Sequence, residues 1–155
     1  MFDENSPNTW PVKGRVMALD LGEKRIGIAI SDPLRIIASG YEVWQRQSRR
    51  EDFAHYADII TQQEITLLVV GLPIPLSGVE GSRAAWVRDY TAELQQHITI
   101  PVVFWDEALT SKQAEASLRE RGKRGKKLRQ RVDAVAAAFI LQSFLDAGEA
   151  WSLPG

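Results

Sequence analysis

The stretch VMALDLGEKRIGIAIS, Val16 to Ser31, decides the fold. Two short β-favouring runs, Val16 to Leu21 and Ile26 to Ser31, flank Gly22-Glu23-Lys24-Arg25, and this spacing predicts an antiparallel hairpin. Side chains alternate along a strand, so Val16, Ala18 and Asp20 share one face. An ionisable group therefore closes a row otherwise suited to burial. Ser31-Asp32-Pro33 marks a turn, and a third short strand is expected within Ile36 to Trp44, interrupted by Ser39-Gly40.

Downstream the pattern changes period. Ser48-Arg-Arg-Glu51 is a capping box, and Phe53, Tyr56, Ala57 and Ile60 follow at helical spacing with one face inward. Thr66 to Val70 is apolar on both sides and reads as a central strand covered on both faces. A Pro- and Gly-rich loop, Leu72 to Gly81, leads to a helix from about Ser82 to Gln96. Pro101 to Trp105 gives a further buried strand. Thr110-Ser-Lys-Gln113 is a second capping box, opening a helix to about Arg121. Gly122 and Gly125 mark the basic stretch that follows as a loop. A last helix carries Val132, Val135, Ala136, Phe139, Ile140 and Phe144, and Gly148 ends it. Three strands in a meander, then strands alternating with helices, indicate an α/β mixed sheet with helices on both faces.

Composition limits the function classes. At 155 residues with 45% hydrophobic and 25% charged residues, the chain fits one globular domain. Residues 1–14 read as a flexible N-terminal tail, 15–149 as a single domain and 150–155 as a C-terminal tail. No apolar run is long enough for a membrane span, and the polar, acidic start is the wrong chemistry for a secretory signal. The absence of cysteine excludes disulfides, thiolate metal sites and a cysteine nucleophile. A cytoplasmic location is expected. Net charge is −1, yet the segment Arg119 to Arg131 alone carries +7.

Three acids stand out. Asp20 ends the first strand, Glu107 follows the Val102 to Trp105 run with Asp106 beside it, and Asp133 is expected at the start of the last helix. Singly, each has a simple structural reading, as an exit-turn carboxylate or a helix cap. Together they fall at the carboxyl ends of two strands and beside a helix, the edge where open α/β sheets bind ligands. Close carboxylates repel unless cations lie between them, and hard oxygen donors select Mg²⁺ or Mn²⁺. The basic stretch would hold phosphate-binding charge beside them through Arg121, Lys123, Arg124, Lys126, Lys127, Arg129 and Arg131, with Lys24 and Arg25 adding to the same surface. Its simpler reading is a solvated loop. His55 and His97 have no metal-ligand spacing and are expected at the surface. Trp44, Trp86, Trp105 and Trp151 are expected to serve packing.

Four blocks, ALDLGEKRIGIAISD (Ala18 to Asp32), VVGLP (Val69 to Pro73), WDEALTS (Trp105 to Ser111) and VDAVAAA (Val132 to Ala138), occur in order and at the right spacing. They resemble the signature blocks of the YqgF family, ribonuclease H-like proteins also called RuvX. Members are known as Holliday junction resolvases and more recently regarded as pre-16S ribosomal RNA nucleases. The resemblance implies a ribonuclease H-like, five-stranded mixed sheet with the first three strands antiparallel, and it maps the family's acids onto Asp20, Glu107 and Asp133. Two departures stand out. Ala108 replaces the usual Arg after Asp-Glu, and Pro75 and Ser77 stand where Asn and Asp are frequent.

The chemistry so implied is metal-dependent phosphodiester hydrolysis, with RNA favoured over branched DNA. The expected role is trimming of the 5′ end of pre-16S rRNA on ribosomal precursor particles, by a monomer or a homodimer. Resolution of Holliday junctions and a non-catalytic RNA-binding module are the alternatives. A sugar-kinase or actin-like ATPase shares an Asp-x-Gly turn between strands, but it encloses nucleotide between two such domains, and this chain has room for one.

Overall fold

A computed structural model describes residues 13–75, 77–106 and 125–147, with the backbone alone for 125–133. The strands are β1 (Arg15–Leu21), β2 (Arg25–Ser31), β3 (Ala38–Gln45), β4 (Ile65–Leu72) and β5 (Val102–Asp106). The helices are α1 (Arg49–Gln62), α2 (Ser82–Leu94) and α3 (Gly125–Asp146). The sheet order is β3-β2-β1-β4-β5. The first three strands are mutually antiparallel, whereas β4 runs parallel to β1 and β5 parallel to β4. This is the five-stranded mixed sheet expected from the hairpin and the alternation that follows it.

The interruption at Ser39-Gly40 is a bulge. Ile28 faces Glu42 and Ala29 faces Gly40, so Tyr41 is the extra residue on β3, and the strand bends without ending. Residues Leu67 to Val70 of β4 are wholly buried, as a strand covered on both faces requires. One face of the sheet packs Met17, Leu19, Ile28 and Leu68 against Phe53, Tyr56, Val87 and Tyr90 of α1 and α2. The other packs Val16, Ala18, Ala29, Leu67 and Val69 against Ala137, Ile140, Leu141 and Phe144 of α3.

Small side chains let α3 approach closely. A Cβ on Gly40 would lie 3.3 Å from both Cβ and O of Ala134. Ala18 and Ala29 continue the row that starts at Gly40, because Ala18 pairs with Ala29 and Ala29 with Gly40. The alanine run after Asp133 is thus the match to a row of small residues on the sheet. Gln142 fixes the other end of the contact, its Oε1 accepting from the Ala38 amide at 2.9 Å and its Nε2 donating to the Ile36 carbonyl at 3.0 Å.

The structure corrects two expectations here. Residues from Gly125 onward are helical, so Lys126, Lys127, Arg129 and Arg131 lie on the first turns of α3 rather than in a loop. Lys, Leu, Arg and Gln are strong helix formers, and a helix nucleated by the packed apolar face extends back through them to Gly125. Asp133 is consequently the ninth residue of α3, in its third turn, and the reading of it as a cap at the helix start falls. The helix expected from Thr110 to Arg121 lies outside the described residues.

At α1 the Ser48 hydroxyl caps the helix as expected, accepting from the Glu51 amide at 3.2 Å, while the Glu51 carboxylate meets that hydroxyl at 3.0 Å rather than the Ser48 amide of a full capping box. Asp52, the next residue, is wholly buried. Its carboxylate accepts from Trp44 Nε1 and the Gln47 amide, each at 2.8 Å, and from the Tyr90 hydroxyl at 3.1 Å. Tyr90 shares a further 2.8 Å bond with Tyr56. Burial holds both phenols well above their ordinary range, so they remain neutral partners of the carboxylate. His55 is also drawn in, contrary to the surface position expected: its ring stacks on Trp44 at 3.7 Å and meets Glu42 Oε1 at 2.6 Å. His97 is exposed, as expected. Among the described residues no helix is long and apolar enough to cross a membrane.

Candidate active site at the carboxyl edge of the sheet

Asp20 is the penultimate residue of β1 and is half-buried, after a run of four buried residues. It follows Ala18 on the face covered by α3. Its partner on β2 is Gly27. On β4, Val70 faces Leu19, and the next residue is Gly71. Asp20 thus stands between two strands that carry no side chain at its level. The clearing lies at the carboxyl ends of β1, β4 and β5, the ligand edge of an α/β sheet.

The topology carries α3 to the same place. Ala134 sits over Gly40, and Gln142 reaches the beginning of β3. Because β3 and β1 point the same way, residues preceding Ala134 lie toward the carboxyl end of β1. The backbone of Asp133 is therefore on the face and at the end of the sheet that hold Asp20. Glu107 follows Asp106, the exposed last residue of β5, and itself lies outside the described residues. One strand, β4, separates β1 from β5, which puts about 9.6 Å between their backbones.

The donor set fits a small hard cation. A partly solvated carboxylate flanked by glycines leaves room for the several waters and substrate oxygens that Mg²⁺ keeps in its shell. Carboxylate oxygens are donors suited to a divalent cation.

Beyond Asp20 the β1–β2 turn bears the cations expected there. Lys24 is exposed and Arg25 half-buried. The Gly22 amide donates to the Arg25 carbonyl at 3.0 Å, and a Cβ on Gly22 would fall 2.5 Å from that carbonyl oxygen. Glycine is therefore required. Two guanidinium groups absent from the expected site also reach this turn. Arg83, at the start of α2, donates from Nη2 to the Leu21 carbonyl at 3.1 Å. Arg46, between β3 and α1, donates from Nη1 to the Glu23 carbonyl at 2.6 Å and to that of Gly22 at 3.4 Å. A cleft of about 290 Å³ opens between the turn and α2, lined by Leu21, Gly22, Glu23, Ser82, Arg83 and Trp86. No motif in the sequence marks Arg46 or Arg83, since their partners are main-chain carbonyls 23 to 62 residues away.

Of the other basic residues, Lys126, Lys127, Arg129 and Arg131 are placed by backbone on α3, whereas Arg121, Lys123 and Arg124 lie outside the described residues. The tryptophans within the described residues pack as expected. Trp105 donates to Ser143 Oγ at 3.1 Å and meets Phe144 edge-on, and Trp86 lies under the Arg46 guanidinium at 4.6 Å. Trp151 lies outside the described residues.

A family model described as RuvX, Holliday junction resolvase, matches residues 14–147. A protein of Koribacter versatilis named "Putative pre-16S rRNA nuclease" is 44% identical over 135 residues, covering 87% of this chain and 88% of its own. One of the same name from Syntrophomonas wolfei is 40% identical over 134 residues, covering 86% and 95%. Among solved structures, Thermus thermophilus RuvC in complex with Holliday junction substrate superposes with a TM-score of 0.55 at 17% identity, covering 92% of this chain and 99% of that one. The yeast mitochondrial Holliday junction resolvase Ydc2 gives 0.56 at 11% identity, covering 92% and 81%. These two likenesses establish the ribonuclease H-like fold. With the match of four sequence blocks, the extent of the family model and the identity of its relatives in agreement, the chain belongs to the RuvX family.

Proposed function

We propose that this protein is a metal-dependent nuclease that hydrolyses phosphodiester bonds at the 5′ end of pre-16S rRNA, with residues 15–149 acting as a single catalytic domain. The observation that carries the reading is the position of Asp20, half-buried between Gly27 and Gly71 at the ligand edge of the sheet, with the helix bearing Asp133 brought to the same end and face. Its relatives' names supply the RNA substrate.

In this reading Asp20, Glu107 and Asp133 hold Mg²⁺ or Mn²⁺, and the bound metal supplies an activated water and charge stabilisation for the leaving oxygen. Asp20 fixes the reacting centre against the main chain of β1. Lys24 and Arg25, with Arg121, Lys123, Arg124, Lys126, Lys127, Arg129 and Arg131, neutralise backbone phosphates and fix the register of the strand without reading bases. The products are a 5′-phosphate and a 3′-hydroxyl. Such a protein works in the cytoplasm on ribosomal precursor particles, and a monomer suffices for trimming.

The family description favours a second substrate, four-way DNA, which requires two sites and hence a homodimer. Incubation of the protein with 5′-extended 16S RNA fragments and, separately, with four-way junctions in Mg²⁺ or Mn²⁺ distinguishes them. RNA cleaved at the 5′ extension with junctions left whole is the expected result. Junctions cut with RNA untouched would transfer the same site to DNA. RNA bound but never cut would leave a non-catalytic module, a reading to which Ala108 lends some chemistry.

A further inference from the structure

The cleft between the β1–β2 turn and α2 is walled by groups of unlike chemistry. Trp86 brings an indole ring, Arg83 a guanidinium, Ser82 a hydroxyl and Glu23 a carboxylate, with Leu21 and Gly22 completing the lining. A bare phosphate would be repelled by Glu23, and a purely apolar ligand would cover Arg83 and Ser82 without meeting their polar atoms. An aromatic ring with polar edges that carries a phosphate satisfies all four. That is a nucleotide. At about 290 Å³ the cleft stands at the small end of ligand sites, with room for one nucleotide and none for a paired helix.

The walls are held by the protein itself. Arg83 donates from Nη2 to the Leu21 carbonyl at 3.1 Å, and a guanidinium has five donors, enough to keep this bond and meet a phosphate as well. Trp86 is half-buried. The Arg46 guanidinium lies 4.6 Å from its ring and the Tyr90 ring 5.1 Å, so the indole is fixed where it lines the cleft. A ring already ordered stacks a base with little further entropy lost.

The cleft also adjoins the proposed metal site. Leu21 packs on the α1–α2 face of the sheet, whereas Asp20 follows Ala18 on the α3 face. From Asp20 to Gly22 the chain spans at most about 7 Å. A strand held at Asp20 therefore reaches the cleft by passing over the edge of the sheet, along the turn that bears the exposed Lys24.

We propose that this cleft is a subsite for one unpaired nucleotide of the RNA, its base stacked on Trp86 and its phosphate on Arg83, beside the bond cut at Asp20. The proposal rests on the nuclease reading above and narrows its substrate to a strand that is single beside the cut. Stacking accepts every base because each has a π-face, so the cleft selects single strands rather than a sequence. A free mononucleotide has the same chemistry, but Lys24 continues the site beyond one nucleotide and favours the strand.

Binding measured in EDTA tests the cleft without any cleavage. The probes are a single-stranded RNA of about eight nucleotides, its fully paired duplex, and AMP. Trp86→Leu, which keeps apolar packing, and Arg83→Ala, at an exposed position, are each expected to weaken single-strand binding about tenfold and to leave duplex binding nearly unchanged. Arg83→Ala should also lower the slope of log affinity against log salt by about 0.7, the share of one phosphate in a single strand, which a loss of packing would not do. It decides the matter alone where Trp86→Leu does not fold. AMP should bind far more weakly than the strand. Variants that bind the single strand as wild type does overturn the subsite, and the nuclease reading stands if wild type cuts the RNA. Equal losses for strand and duplex overturn it too, making the cleft a general phosphate contact, and AMP bound as tightly as the strand makes it a separate nucleotide site. The expected losses in a protein that cuts no RNA or junction support the binding cleft and overturn the nuclease reading alone.

Discussion

Asp20→Asn is expected to lower phosphodiester cleavage by about three orders of magnitude or more, equivalent to about 4 kcal/mol of transition-state stabilisation. The substitution keeps the shape of the side chain and removes its charge. An amide oxygen binds a hard divalent cation far more weakly than a carboxylate, and Asp20 is the one member of the acidic set placed rigidly within a strand of the described fold. The fold should persist at the assay temperature, because Asp20 is half-buried at a strand end and the substitution keeps its shape. Single-turnover cleavage alongside a thermal melt checks both halves. Activity within tenfold of wild type would remove Asp20 from the reaction.

Asp52→Ala should do the opposite, damaging the fold while sparing the chemistry. Asp52 is wholly buried and accepts three hydrogen bonds. Without it the Tyr90 hydroxyl keeps Tyr56 as a partner, but Trp44 Nε1 and the Gln47 amide lose theirs. Each of these part-buried donors left unmade costs up to about 1–3 kcal/mol, and the packing lost around the buried carboxylate adds to it. A destabilisation of about 3–5 kcal/mol is expected in chemical unfolding, with a fall in Tm of roughly 10 °C. The network lies on the α1–α2 face and Asp20 on the α3 face, so cleavage well below the new Tm should stay near the wild-type rate. A loss of stability below about 1 kcal/mol would show that water replaces the carboxylate.

The contrast shows which parts of the molecule sequence can reveal. The hairpin was legible because Val16 to Leu21 and Ile26 to Ser31 alternate with period two around a glycine turn, and β4 because it is apolar on both sides. Asp20 was legible as a charge ending an apolar row, and its two glycine neighbours explain the clearing that a metal site needs. The start of α3 was misread because a run of Lys and Arg serves a solvated helix as well as a loop, and only its continuation into packed alanines decides between them. Asp133 consequently moved from a helix cap into a third turn. Asp52 looked like an ordinary first-turn acid beside a capping box, and burial by Trp44 and Tyr90 is a tertiary fact. Arg46 and Arg83 were invisible for a related reason. Their partners are carbonyl oxygens, which every residue carries, so no pattern of side chains announces them.

Anomalous diffraction from crystals soaked in Mn²⁺ tests the metal reading most directly. A manganese peak about 2.1 Å from an Asp20 carboxylate oxygen is expected, with Glu107 and Asp133 completing the shell directly or through water. Manganese bound elsewhere, with Asp20 unliganded in a preparation that still cuts RNA, would contradict it.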